Sequence, residues 1–339
     1  EIMLPAVKEP RCAFCPPQLV CGRSKLPAPE TFDGRLDKAF WAQAPERFDF
    51  HDIEGEVNPK PFKKTSFRML WDDEALYIGA KLWDDTIWAT VKERDAIIFV
   101  DNDFEVFLSP DIGTHRYFEI EMNAFGAVWD LMMDKPQRDG AQRIVSWDIA
   151  GLRTAVYVEG EVNNPDADNK FWSIEMKIPW QSLRTWAPFR LEPVRLAPET
   201  GETWRLNFSR VEYLVNERYE KLNDSKTGKP FPEFNWVWAP TGVIDIHMPE
   251  MWGYLQFAQN HDDLFQPDPD EKILWKLRKL YYRQRNYGAA NGRYASSLSE
   301  LMQGDTAAIM PEIFTTPSMF EIIYENYHIS QDGYVWKDN

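Results

Sequence analysis

Three stretches, Phe104-Glu-Val-Phe-Leu108, Arg116-Tyr-Phe-Glu-Ile-Glu-Met122 and Ala127-Val-Trp-Asp-Leu131, decide how this chain is read. They are short and rich in aromatic and β-branched residues, the pattern of β-strands. Glu119, Glu121 and Asn123 fall two apart and so share one face of a strand. Similar runs lie on both sides. Thr65-Ser-Phe-Arg-Met-Leu-Trp71, the polar turn Asp72-Asp-Glu-Ala75 and Leu76-Tyr-Ile-Gly-Ala-Lys-Leu82 read as a hairpin. Ala155 to Val158, Phe171 to Ile178, Trp204 to Val211 and Trp236 to Trp238 continue the series, with Gly, Pro, Asn and Asp between them. The fold expected is mostly β: an antiparallel β-sandwich, immunoglobulin-like or jelly-roll-like, with a small C-terminal α/β appendage.

The pattern changes after His261. Asp268-Pro-Asp-Glu271 is a helix start, with Pro in the first turn and acids at the positive end of the dipole. Ile273, Leu274, Leu277, Leu280 and Tyr281 form one helical stripe, expected to stop before Gly288. Ser296 to Met302 reads as a short helix, and Phe320 to Ile329 with Gly333 to Trp336 as a terminal hairpin. A tail of this size is marginal alone, so it is expected to dock on the sandwich. The division is 1–26, a Pro/Cys-rich arm; 27–258, the sandwich; and 259–339, the appendage.

The 339 residues carry 38 Lys and Arg against 54 Asp and Glu, a net charge of −16. That balance argues against nucleic acid and anionic membranes as partners. No apolar run is long enough to span a bilayer. Cys12, Cys15 and Cys21 crowd the first segment with no His nearby, which disfavours zinc. A Cys15–Cys21 disulfide with one thiol over fits an oxidising compartment. The chain starts at Glu1, as a processed form would. An extracytoplasmic location is expected: secreted, periplasmic or cell-surface, with room for membrane anchoring through a lost N-terminal segment.

Several segments, taken in order, resemble the family 9 carbohydrate-binding modules. They are Phe32-Asp-Gly-Arg-Leu-Asp-Lys-Ala-Phe-Trp41, Leu70-Trp-Asp-Asp-Glu-Ala-Leu-Tyr-Ile78, Asp101-Asn-Asp-Phe-Glu-Val-Phe107, Phe171 to Trp180 and Gly253-Tyr-Leu-Gln-Phe257. The likeness spans roughly residues 27–258. It implies a sandwich that binds oligo- or polysaccharide, often at a chain end, with Ca2+ as a structural ion. By position it implies that Asp84 and Glu105 hydrogen-bond sugar hydroxyls, with Asn207 supplying an amide. This chain departs from the family where two Trp clamp the sugar, having Phe99 and the neighbourhood of Ile246-His247 there. Where the family has a basic residue in the middle strand, this chain has about Glu119.

A sugar site needs an aromatic plane beside carboxylates, amides or guanidinium groups. The 15 Trp offer Trp83, Trp88, Trp129, Trp147 and Trp236 as planes; Trp83 and Trp88 fall in a loop beside Asp84, Asp85 and Thr86. Trp41, Trp71, Trp172, Trp180 and Trp204 are read as core. The shared face of Glu119, Glu121 and Asn123, on an expected central strand, reads as a groove that Asp130 and Arg210 join. Lys135, Arg138 and Asp139 form a loop that reaches an acidic sugar or is plain surface. Asp95, Asp101 and Asp103 give oxygen ligands for calcium. The reading is non-catalytic carbohydrate binding in extracellular polysaccharide capture. The alternatives are a glycoside hydrolase or lyase that uses Glu119 and Glu121, or a haem-binding relative with His115 or Met122 as axial ligand.

Overall fold

The strand pattern becomes two packed sheets in the computed structural model, which describes residues 3–10, 16–110, 113–186, 197–302 and 310–338. The first half of the chain contains strands β1 (Gln18–Gly22), β2 (His51–Asp52), β3 (Thr65–Trp71), β4 (Ala75–Trp83), β5 (Asp103–Ser109), β6 (Tyr117–Asn123), β7 (Val128–Met133), β8 (Arg143–Ile144) and β9 (Arg153–Glu159), with the short helix α1 (Ala39–Ala42) after β1. Strands β10 (Phe171–Pro179), β11 (Thr203–Glu212), β12 (Phe234–Val237) and β13 (Gly253–Ala258) follow. The longer sheet runs β1-β13-β11-β5-β6-β7-β8, with β12 and β2 off β11; the shorter is β3-β4-β10-β9. Nearly all pairs are antiparallel; β1 lies parallel to β13. The mostly-β sandwich expected from the sequence is the fold observed.

Period-two patterning builds the layer between the sheets. Phe104, Val106 and Leu108 of β5 and Phe118, Ile120 and Met122 of β6 meet Phe67, Met69, Ile78, Ala80 and Met176 of the other sheet. Each such large side chain contributes about 1.5–3 kcal/mol by leaving water. Trp71 ties the layers at one end by donating its indole N–H to the carbonyls of Cys21 and Ala258, 3.0 Å from each. Trp41, Trp71, Trp172, Trp180 and Trp204 are all buried, as read from the sequence. The 65–82 hairpin is present too. Asp72 closes its turn by accepting from the backbone N–H groups of Glu74 and Ala75.

Residues 32 to 41 are latched to the shorter sheet by one buried carboxylate. Glu175 accepts from the N–H groups of Asp33 at 2.8 Å and Gly34 at 2.9 Å, from the Trp41 indole at 2.7 Å, and from Lys38. Gly34 has φ of 82°, and a Cβ there would lie 2.1 Å from the Tyr157 nitrogen, so the turn admits only glycine.

The appendage contains α2 (Glu271–Asn291), α3 (Leu298–Met302) and strands β14 (Glu312–Thr315), β15 (Phe320–Tyr324), β16 (Tyr327–Ser330) and β17 (Val335–Lys337). Two expectations are corrected here. The terminal hairpin is a four-stranded sheet. Helix α2 runs through Gly288 and ends at Asn291, with Gly292 left-handed after it. Gly288 is a packing residue: a Cβ would sit 2.7 Å from Tyr294 and 2.8 Å from the Met3 sulfur. The appendage docks through buried polar contacts. Asp139 takes Arg285 and the Tyr281 hydroxyl, while Glu250 takes Arg138 at 2.8 Å and the Tyr282 hydroxyl. The arm is shared between the two parts, since Val7 packs in the appendage core and β1 joins the long sheet. Cys21 is a free, buried thiol among the described residues, and burial pushes its pKa up. Cys12, Cys15 and the Cys15–Cys21 pairing lie outside the described residues. Among the described residues no helix is long and apolar enough to cross a membrane.

Replacing Glu175 by Ala strands the buried Gly34 N–H and Trp41 indole, frees the Asp33 N–H and removes one of the two carboxylates that Lys38 pairs with. The expected loss is about 3–5 kcal/mol, the range for breaking a buried pair by removing one partner. It is read as a lower urea midpoint at unchanged m-value.

Candidate functional site

The outer face of the long sheet is not covered by the second sheet. Tyr117, Glu119, Glu121 and Asn123 of β6 point to it, as do Asp103, Glu105 and Phe107 of β5 and Trp129, Leu131 and Met133 of β7. Register places Glu105 directly across from Glu121, and Glu121 across from Trp129. A cavity of about 200 Å3 opens over this patch. Glu105, Glu119 and Glu121 form its acidic side, Phe99 and Trp129 an aromatic wall with ring centroids 6.3 Å apart, and Ile246 and His247 the opposite side. Phe99 is exposed at 40%, while Trp129 is buried at 5%.

The electrostatics are those of acids short of cations. Burial, with the neighbouring Glu119 charge, pushes Glu105 up to about 8. Burial lifts Glu119 to about 7, and burial, with Glu105 and Glu119 beside it, holds Glu121 well above the usual carboxylate range. Glu119 and Glu121 hydrogen-bond each other, which requires a proton between them. The Glu121 carboxylate also accepts from the Phe99 N–H at 2.9 Å. Burial, with Arg143 and Arg138 nearby, lowers His247 to about 4, so its ring is neutral at pH 7. Its Nδ1 lies 2.8 Å from the Tyr117 hydroxyl. The pocket is thus a hydrogen-bonding surface with little fixed positive charge beyond Arg143.

Of the residues singled out in the sequence, the structure gathers Phe99, Glu105, Glu119, Glu121 and Trp129 here. It places the others elsewhere. Asp84 and Arg210 belong to a buried network with Lys63 and Glu212, and Arg210 also donates to the carbonyls of Lys64 and Trp83. Asn207 holds the Ala239 backbone by accepting from its N–H and donating to its carbonyl, both at 2.9 Å. Asn123 donates to Asp101 and to the Val91 carbonyl. Asp130 accepts from Arg94 and from the Ile149 N–H. Trp88 and Trp236 are buried, Trp147 stacks on Phe118 at 4.8 Å, and Trp83 ends strand β4 beneath Lys64 and Lys81. The loop of Lys135, Arg138 and Asp139 receives the appendage, with Lys135 pairing with Asp332.

The three calcium candidates do not form one cluster. Both Asp101 oxygens are taken by Thr90, Val91 and Asn123. Asp95 gathers with Asp130 and Asp148, where Arg94 supplies the positive charge, and Asp103 gathers with Glu105 and Glu121. His115 faces Asp332 of the appendage whereas Met122 faces the sandwich core, so they do not share a haem face.

Leu131, Arg143, Val211, Glu233 and Asn235 also line the pocket. Val211 and Leu131 were reachable by extending the period of β11 and β7. Arg143 on a two-residue strand and Glu233 before β12 carry no such signal. A second cavity, about 270 Å3, lies where the appendage meets the sandwich, with Trp275, Trp336 and Arg205 in its wall.

Residues 32–191, just under half of the chain, match the sequence model of the family described as carbohydrate family 9 binding domain-like. That is the family the sequence resembled. No curated protein matches the chain. Among solved structures, a Bacteroides uniformis protein provisionally described as carbohydrate-binding is similar, at 18% identity and TM-score 0.49, over 71% of this chain and 99% of that one. A carbohydrate-binding module family 9 from Caldicellulosiruptor kristjanssonii is similar in its glucose complex, at 14% identity and TM-score 0.43, over 74% of this chain and 100% of that one. Its cellotriose complex gives the same identity and TM-score, over 74% and 98%.

In buffer containing a chelator, stability is expected to fall as pH rises from about 4.5 to about 8. Over that window the folded chain keeps the Glu105 proton that the unfolded chain has released. Glu105→Gln flattens the decline: its Tm matches wild type near pH 5 and exceeds it by a few degrees above pH 8, as calorimetry across pH would show.

Proposed function

We propose that this protein binds carbohydrate without catalysis, through the pocket on the outer face of the long sheet. The observation that carries the reading is the joining of an apolar wall, Phe99 and Trp129, to hydrogen-bonding carboxyls at Glu105, Glu119 and Glu121. Sugars present both flat C–H faces and hydroxyls, and this lining meets each. The family match to residues 32–191 covers these five residues and supports the same reading. The cavity is smaller than the ~300–1,000 Å3 of typical ligand pockets, which suits one ring at a chain end better than an internal stretch. The preformed sheet floor means little ordering is lost on binding. Polysaccharide capture outside the cytoplasm is the setting that fits such a module.

The geometry does not favour Glu119 and Glu121 as a hydrolytic pair. Glycoside hydrolysis places its two carboxyls ~5–9.5 Å apart, and these two are in hydrogen-bond contact.

A glycan array followed by calorimetry on its hits tests the reading, and absence of binding across the array would sink it. Phe99→Ala removes an exposed wall of the pocket. It is expected to weaken binding by about 5–30-fold, equivalent to about 1–2 kcal/mol, with the Tm unchanged.

A further inference from the structure

Asp103 and Glu105 of β5 and Glu121 of β6 each place a carboxylate oxygen within 4.8 Å of the other two. All three are buried, and none forms an ion pair among the described residues. Three other buried carboxylates of the sandwich do, Glu175 with Lys38, Glu212 with Arg210 and Lys63, and Glu250 with Arg138, while buried Asp101 has both oxygens filled by the neutral donors Thr90, Val91 and Asn123. Ser209 hydrogen-bonds Glu105, and the Phe99 N–H donates to Glu121. Among the described residues Asp103 receives only the Val211 N–H, at 3.4 Å, on one oxygen. Its other oxygen is buried with no hydrogen-bond partner. A fully buried acid with a free oxygen, held against two more acids by strand register, is the signature of a missing positive ligand.

We propose that Asp103, Glu105 and Glu121 bind a calcium ion at the floor of the pocket, and that sugar hydroxyls complete its coordination. Calcium–oxygen distances of ~2.3–2.6 Å let one ion touch three oxygens up to about 4.5 Å apart, close to the 4.8 Å bound on this trio, so a small side-chain shift closes it on the ion. Calcium takes six to eight oxygens, so three carboxylates leave positions open toward the cavity. The ion offsets the repulsion of Glu105 and Glu121 facing each other across the ladder. The raised carboxyl pKa values agree with acids that lack a cation. This ion would act on the ligand, unlike a structural ion in a loop. The second half of the proposal rests on the carbohydrate reading; the first half does not.

The test uses the full chain, stripped with chelator and then titrated with CaCl2 by calorimetry. Terbium luminescence excited through tryptophan is the second readout, since Trp129 pairs with Glu121 across the ladder. One ion per chain is expected in the pocket. Glu121→Gln and Glu105→Gln should each weaken it at least tenfold while near-ultraviolet circular dichroism stays native, and Asp148→Asn should retain it. No calcium binding up to about 10 mM, above the range of weak extracellular calcium modules, overturns the proposal. So does binding that Asp148→Asn abolishes and Glu121→Gln leaves intact. Calcium binding with no glycan bound in either condition supports the ion and rejects the carbohydrate reading. Glycan binding that is equal with calcium and with chelator rejects the bridging role and leaves the carbohydrate reading standing.

Discussion

Strand β6 cannot set Phe118, Ile120 and Met122 against the opposing sheet without turning Glu119 and Glu121 to the other face. That two-residue period governs the molecule. A slip of one residue would drive both acids into the apolar layer, so register is strongly specified. Three large apolar side chains on this strand contribute about 1.5–3 kcal/mol each. Cross-strand pairs shift stability by roughly 0.2–1 kcal/mol. Core packing therefore outweighs the repulsion of Glu105 facing Glu121, and holds an arrangement of acids that would not assemble alone.

Two kinds of buried carboxylate follow. Glu175, Glu212 and Glu250 are each met by Lys or Arg, and they fasten the 32–41 turn, the end of the sandwich and the appendage in turn. Asp103, Glu105 and Glu121 have no such partner among the described residues. Natural folds tolerate unmatched polar groups mainly where a ligand will meet them. Buried Asp101 also lacks a counter-charge but has both oxygens filled by neutral donors, so the unfilled oxygen of Asp103 is what sets that trio apart.

Patterns within one strand were legible in the sequence, and convergence between strands was not. The shared face of Glu119 and Glu121, the 65–82 hairpin and the five core tryptophans follow from spacing and local turn chemistry. Glu105 and Phe99, placed by resemblance, also sit in the pocket. Asp84 and Arg210 read equally well as ligand contacts, but their partners saturate them: Lys63 comes from another segment, and Glu212 sits two residues beyond Arg210 on the same strand. Asp95, Asp101 and Asp103 are near in sequence, yet a loop and a strand direct them to three different sets of neighbours. Gly288 looked like a helix stop because glycine commonly ends helices, but here its lack of a side chain serves close packing.

The parallel pairing of β1 with β13 has a consequence for biosynthesis. Strand β1 leaves the ribosome long before β13, the strand that it pairs with. Residues still nearer the amino end wait longer, because the Val7 N–H bonds the Asn286 side chain and the Pro5 carbonyl takes the Arg285 guanidinium. Closing such distant contacts is slow. These contacts cannot form until translation has passed helix α2.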